Sequence, residues 1–233
     1  MLVNLPETSS RRLHRQARDV CGWLLSGIVV VLASAPHAWS EETPADSALR
    51  IGQGNPAIGK QLSDSERCQE CHGANGVSGD LRIPHHAGQW AGYLVKQLQD
   101  FQSGRRSHEV MNTMAADLSE RDMVDIAAYF ASQPAVSWQG SGNPRGQSLY
   151  GAGDWARNLA PCAQCHGEQG QGRFVDNVFY PRLAGQRRVY LRTQLVNWRL
   201  GERHNSPDGV MNEIAKRLRE DEIDALVDYL SGS

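Results

Sequence analysis

The chain has 233 residues, with 24 Lys and Arg against 26 Asp and Glu. That length allows one or two domains, each with its own core. The near balance of charge leaves no basic excess for nucleic acid, and five cysteines cannot all be used in disulfide pairs.

The first forty residues read as a secretory leader. Arg11, Arg12, Arg15 and Arg18 make a basic start, and Gly22–Ala35 is an apolar stretch of 14 residues. A transmembrane helix needs about 20 residues. Ala38-Trp39-Ser40 offers small residues where a signal peptidase reads, which places cleavage before Glu41. An uncleaved membrane anchor is the alternative. Cys21 lies in this leader, so the mature chain keeps four cysteines.

Those four fall in two copies of one pattern, Cys68-Gln69-Glu70-Cys71-His72 and Cys162-Ala163-Gln164-Cys165-His166. C-x-x-C-H is the attachment signature of a c-type haem. Cysteines three residues apart reach two vinyl groups on one porphyrin edge, and the next histidine is held under the iron as proximal ligand. A shared tetrahedral zinc is the competing reading. It leaves both histidines and the long matching segments behind them unused.

The segments around the motifs are a repeat. Cys68 maps onto Cys162 at an offset of 94, Pro84–Gln89 onto Pro181–Gln186 at 97, and Met111-Asn112 onto Met211-Asn212 at 100. In chain order, each copy predicts a short helix before the motif (Pro56–Ser63; Gly146–Tyr150) and then a turn-rich loop (Gly73–Pro84; Gly167–Pro181). An amphipathic helix follows (Trp90–Gln102; Arg188–Leu200). The last helix starts at a Ser119/Asp122 capping box in the first copy. In the second copy Arg219 stands at the cap, which predicts a weaker start or one at Asp221. Ile126, Ala127 and Phe130, and Ile223, Leu226, Val227 and Leu230, are the expected core stripes. Pro134–Pro144 is the expected linker. The expected organisation is a leader at 1–40, a first domain at 41–138 and a second at 139–233, all-α, each domain wrapped around one covalently bound haem c. The first domain carries 8 basic and 13 acidic residues and the second 12 and 11, an asymmetry able to steer a partner.

A six-coordinate iron needs a ligand opposite His72 or His166. Methionine fits, because its thioether raises the reduction potential. Met211 is the only methionine of the second copy and aligns with Met111, so the repeat selects Met111 over Met114. Met123 lies inside the last helix and is expected in the core. His85, His86 and His108 have no histidine counterpart in the second copy, and His86 stands where Leu183 does. Contact with a propionate or solvent, and bis-histidine ligation of the first haem, are the two readings of these residues. The carbonyl of Pro84 or Pro181 is placed to accept a hydrogen bond from the proximal Nδ1, the alternative being a rigid turn.

With the two C-x-x-C-H motifs, Tyr180–Gln186, Tyr93–Leu98 and Ala127–Phe130 together, the chain resembles the diheme class I cytochromes c of the cytochrome c4 family. The resemblance implies two cytochrome c folds with haem edges close. It implies ligation by His72 with Met111 and His166 with Met211, with Cys68, Cys71, Cys162 and Cys165 holding two haem c groups. It further implies a periplasmic electron carrier that associates peripherally with the inner membrane. The expected partners are redox proteins such as a quinol-oxidising complex and a terminal oxidase, with no catalytic residue and no nucleic acid. His85-His86 departs from the family's Pro-x-Leu pattern. A diheme peroxidase or ligand sensor with one open iron, and an electron-accepting subunit of a dehydrogenase, are the rival functions.

Overall fold

Asn55-Pro56 and Asn143-Pro144 open the two halves in the same way. The Asn55 side chain accepts from the N–H groups of Ala57 and Ile58 and that of Asn143 from the N–H of Gly146, and in each half proline occupies a position where an N–H would be orphaned. The computed structural model describes residues 52, 54–139 and 142–231. The leader, its cleavage point and Cys21 lie outside the described residues.

The first half holds α1 (Pro56–Ser65), α2 (Cys68–His72), α3 (Ala91–Gln102), α4 (Glu109–Ala115) and α5 (Glu120–Ser132). The second holds α6 (Pro144–Ala152), α7 (Ala163–His166), a hairpin of β1 (Arg173–Val175) and β2 (Val178–Tyr180), α8 (Arg188–Leu200), α9 (Val210–Arg217) and α10 (Glu220–Leu230). In each half the first helix packs on the last, α1 on α5 and α6 on α10. The crossings pass through glycine. A Cβ on Gly59 would sit 1.8 Å from the Asp125 carbonyl oxygen, and one on Gly146 would sit 2.0 Å from that of Ala225. Only backbone without a side chain fits there.

Each half has its own core. Leu94, Val95, Leu118, Met123, Ile126 and Phe130 form the first, with Met123 fully buried as expected. Leu149, Tyr150, Leu191, Ile223, Leu226, Val227 and Leu230 form the second. The predicted stripes of the last helices are therefore the core faces.

Three local readings are corrected. Trp90 caps α3 from outside rather than belonging to it, with extended backbone (ψ 124°). The second turn-rich loop contains the hairpin. It turns at Asp176 and Asn177 with φ of 50° and 60°, the left-handed pair of a tight two-residue turn. Finally, α10 begins at Glu220, one residue before Asp221, and its cap residue Arg219 supplies no side-chain acceptor for the first turn. Glu222 accepts the Arg219 N–H at 2.9 Å, and the Arg157 and Arg219 guanidinium groups enclose its carboxylate. In α5 the Ser119/Asp122 box forms as the sequence predicts.

The linker runs between the halves. Ala135 closes over Gly88 and Val136 over Gly185. The Trp138 indole donates to the Tyr229 carbonyl at 2.7 Å and meets its ring edge-on. Both halves belong to one compact unit. No helix among the described residues is long and apolar enough to cross a membrane.

Candidate functional site

Cys68 and Cys71 stand three apart on the single turn of α2, so both face the same way, with His72 closing the turn. Cys162, Cys165 and His166 repeat this around α7. Gly73 and Gly167, at φ 82° and 83°, then turn the chain out of the helix. Both glycines lead to one loop closure. The Gly76 carbonyl accepts from His86 and Ala87 at 2.8 and 3.0 Å, and the Gly170 carbonyl from Leu183 and Ala184 at the same distances.

That closure sets the proline carbonyl. His72 Nδ1 lies 3.1 Å from the Pro84 oxygen, and His166 Nδ1 lies 2.9 Å from the Pro181 oxygen. A carbonyl only accepts, so Nδ1 carries the proton and Nε2 keeps its lone pair. Burial lowers both histidines below the ordinary value, against the opposing pull of the proline carbonyls, and repulsion from His108 adds to it at His72. Both lowering effects favour the neutral imidazole, with Nε2 as the nitrogen able to bind iron.

The cysteines favour covalent attachment over zinc. Burial pushes the Cys68 thiol up to about 11 and that of Cys162 up to about 12. Zinc binds thiolate, which such surroundings disfavour. No cluster of three His, Cys, Asp or Glu side chains able to hold a metal ion occurs among the described residues.

A second layer joins the halves through a pseudo-symmetric clamp. Gln186 accepts from the His85 N–H at 2.8 Å and donates to the His85 carbonyl at 2.9 Å. Gln89 makes the same pair with Arg182, at 2.8 and 3.0 Å. Each glutamine thus grips the residue that follows the other half's ligand-holding proline. Beside it lie Arg106 and Arg203, related by the 97-residue offset. Arg106 donates to Gln97, Gln194 and the Tyr190 hydroxyl. Arg203 donates to Gln194, Gln97 and the Tyr93 hydroxyl. Neither forms an ion pair among the described residues, and Arg203 is only 7% exposed. Guanidinium groups held in this way carry the charge and the fork of donors that a haem propionate would take. Sequence reading missed this pair, although it continues the Tyr93/Tyr190 and Gln97/Gln194 repeat.

The methionines come from separate helices. Met111 is half-buried on α4 and Met211 on α9. The following asparagine pins each one. Asn112 donates to the Phe101 and Arg106 carbonyls at 2.6 and 3.0 Å, and Asn212 to those of Trp198 and Arg203 at 2.7 and 2.8 Å. His72 and His166 make no hydrogen bond with either methionine.

The three extra histidines separate. His85 is buried, and its Nδ1 accepts the Ser78 N–H at 3.0 Å, so that nitrogen is already engaged. Burial and the nearby Arg187 lower its value to about 4. His86 stacks on His72, with ring centroids 3.9 Å apart and planes 26° from parallel. Its place is beside the histidine of the first C-x-x-C-H motif. His108 caps α4 and accepts the Met111 N–H at 3.4 Å, so of the three it is the one on the methionine's own helix.

The comparisons agree with this geometry. The family model described as cytochrome c matches twice, over residues 56–134 and 144–233. A thiosulfate dehydrogenase electron acceptor of Stutzerimonas stutzeri is 34% identical over 215 residues, covering 90% of this chain and 94% of that protein. Cytochrome c4 of Pseudomonas aeruginosa is 36% identical over 189 residues, covering 80% of this chain and 92% of the relative. The crystal structure of reduced recombinant cytochrome c4 from Pseudomonas stutzeri superposes with a TM-score of 0.71 at 32% identity, covering 77% of this chain and 98% of that one.

Proposed function

The chain belongs to the diheme cytochrome c4 family, with two covalently bound haem c groups and the work of an electron carrier, and from that premise we propose that both irons are six-coordinate, His72 with Met111 and His166 with Met211. The observation that carries the reading is the matched pair of buried imidazoles, each tied through Nδ1 to a proline carbonyl. The same hydrogen bond raises ligand basicity and fixes the ring. The haem irons supply the one-electron chemistry. The chain binds them, excludes water and holds their ligands, and it needs no acid, base or nucleophile.

We place the carrier in the periplasm, exported by the cleaved leader and associated peripherally with the inner membrane. It takes electrons from a quinol-oxidising complex and passes them one at a time toward a terminal oxidase. A second reading, with a dehydrogenase as donor, is supported by the relative named as a thiosulfate dehydrogenase electron acceptor, which this chain matches over nearly its whole length. Stopped-flow reduction by each donor in turn separates the two.

The ligand assignment is tested by Met111→Ala and Met211→Ala. Each is expected to remove half of the long-wavelength methionine-to-ferric-iron band and to open one haem of the two to carbon monoxide. Retention of the full band in either variant would refute that methionine as ligand.

A further inference from the structure

The two haem pockets differ on the side of the proximal ligand. In the first half an aromatic column backs the ligand. His72 is stacked on His86 at 3.9 Å, and His86 meets Phe130 at 5.4 Å with planes 59° apart. Phe130 is 2% exposed, and the His86 N–H is tied to the Gly76 carbonyl at 2.8 Å, so the column is anchored at both ends. In the second half the same places hold Leu183, half-buried against the core, and Leu230, within it, and the ring near His166 is Tyr180, edge-on at 6.2 Å. The scaffold around the two columns matches. A Cβ on Gly76 would meet Phe130, and one on Gly170 would meet Leu230.

A single hydrogen bond from Nδ1 fixes where the proximal ring points but leaves its plane free to rock about that axis. A ring lying face-on at contact distance removes that freedom, whereas an aliphatic side chain grips several planes equally well. We propose that His86 is a positioning residue for the first haem alone, holding the plane of the His72 imidazole and thereby giving two haems in one fold different ring orientations and reduction potentials. This rests on His72 being the proximal ligand. It also takes His86 out of contention as sixth ligand, since a ring stacked on His72 lies on the same side of the iron.

The polar imidazole has a second consequence. A dipolar ring beside the ligand favours the ferric charge more than leucine does, which lowers the first potential.

The test uses the full ferric diheme protein, as His86→Leu and His86→Phe. Haem-methyl proton shifts report ring plane, and each haem is assigned through Overhauser contacts to its own thioether cysteines. Spectroelectrochemistry gives the two midpoints. In H86L the first haem's methyl pattern changes and its midpoint rises, while the second haem, the folding control in the same sample, is unmoved. In H86F the stacked ring keeps the wild-type methyl pattern. An H86L protein in which either first-haem reading is unchanged overturns the proposal, as does an H86F protein whose methyl pattern follows H86L. Failure of the His72 reading shows separately, in the wild-type protein, as a first haem without hyperfine-shifted imidazole protons assigned to His72.

Discussion

In the first half His72 lies against a second imidazole, and in the second half the place of that imidazole is taken by Leu183, and the ring near His166 is Tyr180, edge-on. Around that difference much is shared: the glycine crossing of first and last helices, the proline carbonyl on Nδ1, the asparagine after the methionine and the glutamine clamp on the opposite half. The repeat has kept what places a haem and its ligands. It has varied what lies one contact further out, where a side chain tunes a ligand without carrying it. The helix starts show the same division. Ser119 and Asp122 cap α5 as a box, while Glu222, held by Arg157 and Arg219, caps α10 by another chemistry with the same outcome.

The shared part is tested by the largest expected effect. Gly59→Ala and Gly146→Ala each drive a methyl group into a carbonyl of the crossing helix, and overpacking of this kind costs about 3 kcal/mol. Guanidinium unfolding should show both variants destabilised alike; a tolerated alanine in one half would break the equivalence of the crossings.

The halves should also differ in acid. His85 titrates near 4 in the folded chain because burial and Arg187 oppose its proton, while its counterpart Arg182 has no titration in this range. The unfolded chain binds that proton near pH 6.5, so between about 6.5 and about 4 it takes up more protons than the folded chain. Stability contributed by His85 is present above this window and falls as pH drops through it, by about 3 kcal/mol at most. His85→Asn should flatten that part of the stability curve. An unaltered slope would mean that His85 is protonated in the folded protein.

The smallest effect concerns the caps. Ser119→Ala should cost about 1 kcal/mol. Glu222→Gln, which weakens charge-assisted bonds to Arg157 and Arg219, should cost about 2 kcal/mol. Equal losses in thermal unfolding would show that the carboxylate is no more than a replacement for the serine.

Much of this was legible in the sequence. The motifs and offsets give the fold and the two C-x-x-C-H haem sites, because local spacing dictates them. The Pro84 and Pro181 carbonyls were among the options the repeat offered. The Gln89–Arg182 and Gln186–His85 pairs were not readable, since they join residues 93 and 101 positions apart and their partners are backbone atoms with no sequence signature. The helices that carry Met111 and Met211 are too short for a periodic pattern. The hairpin had a signal, Asp176-Asn177 between apolar residues, hidden in a loop otherwise rich in glycine.

The central claim, that both irons keep two protein ligands, is tested most directly by the absorption spectrum of the ferrous mature protein before and after carbon monoxide. No change at either haem is the predicted result. Rapid stoichiometric binding at one haem would contradict it and mark that half as a reactive or sensing site.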